Sequence, residues 1–279
     1  MGLPADIRAA LRRRQADLDR LGGRVGAELI ALADTLRARL IDLAEDKGGG
    51  DWRTGILAVQ LDDIARAIAE ETGDVQDRWL DGLEEIERAT PDYLRSVGLD
   101  PESIVDIEAV TAVIDSATRD ARDAFRGLSL ATATDLAPLM REGYRLESLD
   151  ELSKRIGERL GVSLAKAATE ARTQTAVYAR AVASAYASEA SVAVGYAYAG
   201  PEDGITRPFC EECVGQWFTA DLVARLDNGV SGLPHPLDSG GGYNCRHQWL
   251  AVPQAVALRW GYGVATEATV RAANTAARG

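Results

Sequence analysis

Leu18, Leu21, Val25, Leu29, Leu32, Leu36, Leu40 and Leu43 follow one another at spacings of 3, 4, 4, 3, 4, 4 and 3 residues. That eleven-residue repeat gives ~3.67 residues per turn, close to the ~3.6 of an α-helix, so one long and nearly straight helix with a buried face is predicted from Ala5 to Asp46. The buried face fits packing within its own domain and docking on another subunit. Gly22-Gly23 weakens the middle, since an interior glycine costs roughly 1 kcal/mol against alanine. Lys47-Gly48-Gly49-Gly50 ends the pattern.

Helical spacing resumes from Thr54 to Glu71 (Leu57, Leu61, Ile64, Ile68) and from Asp74 to Ala89 (Val75, Trp79, Leu83, Ile86). Pro91 is read as opening a short helix through Val97. Asp100-Pro101 pairs an N-cap with a first-turn proline and predicts a helix to Phe125. A weaker helical stretch covers Ser129 to Leu139. Ser148-Leu-Asp-Glu151 is a capping box, and its helix is expected to end at Gly161. Ser163 then begins an Ala-rich helix to about Glu189.

The pattern changes at Ser191. Val192 to Ala199 alternates bulky and small residues, a strand ending at Gly200. Gln216–Phe218 and His247–Val252 read as further strands, Asp221–Leu226 as a short helix opened by Thr219, Gly240–Gly242 as a turn, and Thr266–Ala277 as a terminal helix. The expected fold is mainly α with a small C-terminal α+β module. Residues 1–147 form a helical region, 148–253 the module with its long lead-in helices, and 254–279 a partly helical tail.

Composition narrows the function. Hydrophobic content of 46% with 27% charged residues fits a soluble globular chain. No apolar run approaches the ~20 residues of a bilayer span, so no membrane partner is expected. The N-terminus shows no secretory signal. With 43 acidic against 31 basic residues the net charge is −12, which argues against broad nucleic-acid binding as the main role. The cations are nearly all arginine; the lysines are Lys47, Lys154 and Lys166.

All the cysteines and histidines lie within 38 consecutive positions: Cys210, Cys213, His235, Cys245 and His247. Their odd cysteine count and clustering favour a reducing compartment over a disulfide framework. Cys210 and Cys213 have C-x2-C spacing, which lets two thiolates converge from a tight turn. Cys245 and His247, two apart, face one ion when the backbone is extended. Together they make a set of three cysteines and one histidine suited to tetrahedral zinc of a structural kind. His235, between Pro234 and Pro236, can replace one ligand or hydrogen-bond another.

Other readings of the cluster stay open: a redox pair, although the thioredoxin-like setting is missing; small buried thiols beside a core histidine; and a catalytic zinc. Catalysis needs an open metal position and a base. Glu211 and Glu212 adjoin the ligands but fit solvated surface acids equally well. No nucleophile triad or phosphate loop is present, and Gly240–Gly242 lacks the Lys-Ser/Thr of one. Trp217, Phe218, Tyr243 and Trp249 are expected to make the module's small core. A base-stacking platform needs interleaved cations, and residues 192–253 carry Arg207, Arg225 and Arg246 against seven acids.

At these residues the chain resembles the phage Mu F-like and SPP1-type minor head proteins, also called phage head morphogenesis proteins. The matching elements are Asp203-Gly-Ile-Thr206-Arg207-Pro-Phe-Cys210, Gly215-Gln-Trp-Phe218 and Gly241-Gly242-Tyr243-Asn244-Cys245-Arg246-His247. Leu233-Pro234-His235-Pro236 looks like a Pro-x-His-Pro piece from another branch. The resemblance covers residues 148–253, and the last block is its specific part. Many members keep only the first leading cysteine, in which case His235 is the natural fourth ligand in place of Cys213.

The resemblance implies a non-enzymatic minor capsid protein of a tailed phage or phage-derived particle. It implies contacts with the portal protein and with major capsid or scaffold protein, and a weak contact with DNA. It places the protein at the portal vertex or in the capsid interior of the virion, and in the host cytoplasm during assembly. Two alternatives remain: a zinc-dependent nuclease- or ADP-ribosyltransferase-like effector packaged in the head, and an internal DNA-binding head protein.

Overall fold

The structure, a computed structural model, describes residues 3–101, 105–190 and 194–279. Long helices occupy the N-terminal two thirds: α1 (Ala5–Ala31), α2 (Ala33–Lys47), α3 (Trp52–Ala58), α4 (Leu61–Ser96), α5 (Ile107–Gly143) and α6 (Leu149–Ser188). Short elements follow: β1 (Gly195–Ala199), α7 (Pro208–Cys213), β2 (Gln216–Phe218), α8 (Ala220–Val223), α9 (Pro236–Ser239), β3 (Gln248–Val252), α10 (Gln254–Arg259), β4 (Gly263–Val264) and α11 (Glu267–Ala276). The fold is therefore mainly α with a small C-terminal α+β module. Among the described residues no helix is long and apolar enough to cross a membrane.

The chain forms two compact units, one from residues 1–20, 82–119 and 173–279, the other from 21–81 and 120–172. They interleave in sequence, unlike the contiguous blocks 1–147, 148–253 and 254–279 drawn from sequence pattern. The second unit is a helical bundle. Leu36 and Leu40 of α2, Ile64 and Ile68 of α4, Leu136 and Met140 of α5, and Ile156 and Leu160 of α6 share its core.

Several helix boundaries differ from expectation. The predicted helix 5–46 is α1 and α2, separated only at Leu32, which keeps a right-handed backbone (φ −75°, ψ −5°). The stripe survives that irregularity: Leu18, Leu21, Val25, Leu29, Leu36 and Leu40 are all buried. The segments predicted at 74–89 and 91–97 are one helix, α4, with Pro91 inside it. Proline removes one helical N–H and crowds the preceding turn. The carbonyl that loses its helical partner is that of Glu87; one residue earlier, the Ile86 carbonyl accepts from the Thr90 hydroxyl at 2.8 Å and from the buried Arg14 guanidinium at 3.1 Å.

The helix expected from Asp100 starts at Ile107, where the Asp106 carboxylate accepts from the Ala109 amide at 2.9 Å as an N-cap does. The residues just after Pro101 lie outside the described ones. The helix then continues through Pro138, absorbing the weaker stretch 129–139. Likewise α6 runs unbroken through Gly161. Ser148 does cap it, its Oγ accepting from the Glu151 amide at 3.2 Å.

In the first unit the sheet order is β3-β1-β2-β4. β1 is antiparallel to β2 and β3, with Tyr196 opposite Phe218 and Ala251, and Tyr198 opposite Trp249; β4 runs parallel to β2. The start expected for the first strand, Val192, lies outside the described residues. Alternation gives the sheet two buried faces. Ala197, Ala199, Trp217, Leu250 and Val252 pack with Ile7 and Ala10 of α1 and with Trp260. Gly195 leaves room on this face: a Cβ there would fall 2.3 Å from the Trp217 ring. Tyr196, Tyr198, Phe218 and Trp249 face the other way, onto Cys210, Cys213 and Cys245 and onto Val270 and Ala273 of α11. The aromatic residues Trp217, Phe218 and Trp249 thus form core, as composition suggested; Tyr243 is only partly buried.

Candidate metal centre

Three potential ligands converge from separate segments. Cys210 sits on α7, which Pro208 opens at its first turn. Cys245 closes a turn whose amide donates to the Gly242 carbonyl at 3.1 Å, with Asn244 at a positive φ of 55°. Asparagine tolerates that left-handed conformation better than most side chains. His247 immediately precedes β3. The metal-capable atoms of Cys210, Cys245 and His247 all lie within 4.8 Å of one another, and all three residues are buried. They are close enough to hold a metal ion.

The two sulfurs are 3.9 Å apart, and His247 Nδ1 is 3.7 Å from Cys245 Sγ. The other ring nitrogen, Nε2, lies 3.0 Å from the Pro201 carbonyl. A carbonyl only accepts, so Nε2 carries the proton and Nδ1 presents its lone pair to the sulfurs. Arg246 points the opposite way, forming a two-pronged ion pair with Asp203 at 2.7 and 2.9 Å. Inward Cys245 and His247 around outward Arg246 is the period-two arrangement expected of an extended segment.

The glycine turn closes the cluster from one side. The Gly241 amide donates to Cys245 Sγ at 3.1 Å, and a Cβ at Gly241 would sit 2.2 Å from Cys210 Sγ. Only glycine fits so close an approach. Beneath the loop, Arg180 of α6 is buried and donates to the carbonyls of Cys245 (2.7 Å), His247 (2.9 and 3.2 Å) and Asp238 (3.1 Å). Tyr198 stacks its ring on His247 and places its hydroxyl 3.5 Å from each of the two sulfurs.

The charge within the pair is uneven. Cys245 is held well below the usual thiol range, first by the Cys210 hydrogen bond and further by the Arg180 charge, against the opposing effect of burial. Cys210 is pushed up by the same hydrogen bond and by burial. One proton shared between two close sulfurs produces this split. Burial also raises Tyr198 well above the ordinary phenol range.

Cys213 and His235 are placed differently. Cys213, one helical turn beyond Cys210, is fully buried in the aromatic core, and burial pushes its thiol up to about 12. His235 is exposed and caps α9, its Nδ1 accepting from the Leu237 amide at 3.2 Å. Neither belongs to the group of three. Glu211 and Glu212 are exposed on α7. The C-x2-C spacing predicts a tight turn, whereas Pro208 starts a helix there.

Sequence reasoning passed over Tyr198 and Arg180. Both left a signal. Tyr198 shares a strand face with Tyr196, and Arg180 is the sole charged residue between Arg172 and Glu189. The motif residues outside the cluster frame it: Arg207 donates to the Tyr243 carbonyl, and Thr206 Oγ1 to the Pro201 carbonyl. Comparison with protein-family models, curated proteins and solved structures finds no match to this chain.

Proposed function

We propose that the chain is a minor head protein of a tailed phage or phage-derived particle, with a structural zinc ion fixing its C-terminal module. In this reading it is not an enzyme. It acts through contacts with portal protein, and with major capsid or scaffold protein, at the portal vertex or capsid interior. It passes through the host cytoplasm during assembly.

The observation that carries the reading is the enclosure of Cys210, Cys245 and His247. All three are buried, and their motif neighbours Asp203, Thr206, Arg207 and Arg246 bond to one another or to loop carbonyls. Such an arrangement holds loops together. The donor set fits zinc: Zn–S of ~2.3 Å and Zn–N of ~2.0 Å give tetrahedral edges of about 3.8 Å between sulfurs and about 3.5 Å between sulfur and nitrogen. The corresponding separations here are 3.9 and 3.7 Å. The Nε2–H bond to Pro201 orients the imidazole as metal-bound histidines are commonly oriented.

The test joins metal analysis to assembly. The purified chain is expected to carry one zinc ion and to co-purify with portal protein from assembling particles. Cys245→Ser should lose both. Normal incorporation of a zinc-free chain would remove the staple, and absence of the chain from particles and from portal pull-downs would remove the head assignment.

A further inference from the structure

The three ligands leave one corner of a tetrahedral site to be filled, and structural zinc sites are nearly always four-coordinate within the protein. The sequence offered Cys213 or His235 for that corner, and neither falls in the group whose ligand atoms all lie within 4.8 Å of one another. Tyr198 is the group whose oxygen stands beside the sulfurs. Its hydroxyl is 3.5 Å from Cys210 Sγ and 3.5 Å from Cys245 Sγ. A tetrahedral zinc with ~2.3 Å sulfur and ~2.0 Å oxygen bonds has a sulfur–oxygen edge of about 3.5 Å. The sulfur–sulfur separation, the Cys245–His247 sulfur–nitrogen separation and both sulfur–oxygen separations therefore lie near four of the edges of one tetrahedron.

We infer that the Tyr198 oxygen is the fourth ligand, completing a site of two thiolates, one imidazole and one phenolate from Cys210, Cys245, His247 and Tyr198. The inference rests on the metal reading above and adds to it a ligand that the sequence motif does not name.

Position is fixed as well. Tyr198 is fully buried in β1, which pairs with both β2 and β3, and its ring is held against His247 and Trp249. No rotamer search is needed to bring the oxygen to the sulfurs.

Binding then releases the phenol proton together with the thiol proton, which gives a readout that a hydrogen-bonding tyrosine lacks. The full-length chain, stripped of metal and titrated with Zn2+, is expected to develop a tyrosinate ultraviolet difference band with one equivalent of ion. Tyr198→Phe keeps the ring packing and should abolish that band. It should also weaken Zn2+ binding by roughly 100-fold, the upper end of what losing a supporting group alone costs. Co2+ titration provides the parallel visible spectrum, in which the variant should lose its four-coordinate protein site.

Cys213→Ala is expected to leave both spectra and the affinity unchanged. A wild-type chain that binds Zn2+ without a tyrosinate band, or a Cys213→Ala variant that loses the ion while Tyr198→Phe keeps it, overturns the Tyr198 assignment but not the metal. A wild-type chain that binds neither ion overturns the metal reading itself.

Discussion

Replacing Arg180 by methionine tests how the Cys245–His247 loop is held. The side chain keeps its apolar stem in α6 and loses its donors. Carbonyls of Cys245, His247 and Asp238 lose their guanidinium partner in a buried setting. Stranding a buried acceptor costs about 1–3 kcal/mol. Removing a buried guanidinium also relieves its own desolvation, which favours the low end. Three carbonyls at the low end give a loss of about 3 kcal/mol in the stability of the first unit. At ~1.4 kcal/mol per decade that is roughly 100-fold faster amide exchange through β3. Site-resolved hydrogen exchange is the right assay, because a two-unit chain need not unfold in one step. Arg180→Lys should fall between, since one ammonium cannot serve three diverging carbonyls. A change below tenfold in Arg180→Met would refute the argument.

Gly241→Ala should drive a methyl into Cys210 Sγ, where the built Cβ falls at 2.2 Å; calorimetry with Zn2+ should show the site lost or severely weakened, and unchanged binding would contradict the close approach. Asp203 is held at about 2, first by its hydrogen bond to Arg246. Its folded-state value is below the unfolded ~3.9, so its stabilising effect is complete above about pH 4 and fades as pH falls toward 2. NMR titration of its carboxyl should show the low midpoint, Arg246→Gln should return it to the ordinary range, and an ordinary midpoint in the parent would refute the pairing.

Much of this fold was legible because its signals are local. The leucine stripe from Leu18 to Leu40 marked a buried face that the structure keeps. Thr219 caps α8 as its position indicated, and the terminal helix is present as α11, with Thr266 as its cap rather than its first residue. The breaks were less legible. Pro91, Pro138 and Gly161 are local helix-weakening signals, yet α4, α5 and α6 run through them. The turn before Pro91 is also held by Arg14, which is 72 residues from its acceptor Ile86. No window of sequence contains both.

The site divides in the same way. Cys245 and His247 were readable from their two-residue spacing, because an extended segment alternates its faces. Cys210 was readable from clustering alone. Cys213 and His235 were placed with the ligands by residue type, while packing gave one to the core and the other to a helix cap. Tyr198 reaches the sulfurs by strand pairing across 47 residues to Cys245, and pairing of that range has no local signature.

The interleaving of the two units sets an order of events on the ribosome. Residues 21–172 contain every segment of the bundle unit, so it can close while later residues are still being made. The other unit needs residues 173–279, which at ~5–20 residues per second take roughly 5–20 s longer. Through that interval Ile7 and Ala10 have neither Leu250 nor Val252 to pack against. The apolar start of α1 thus waits, uncovered, for a strand made more than two hundred residues later, and is a place where a chaperone would meet the nascent chain.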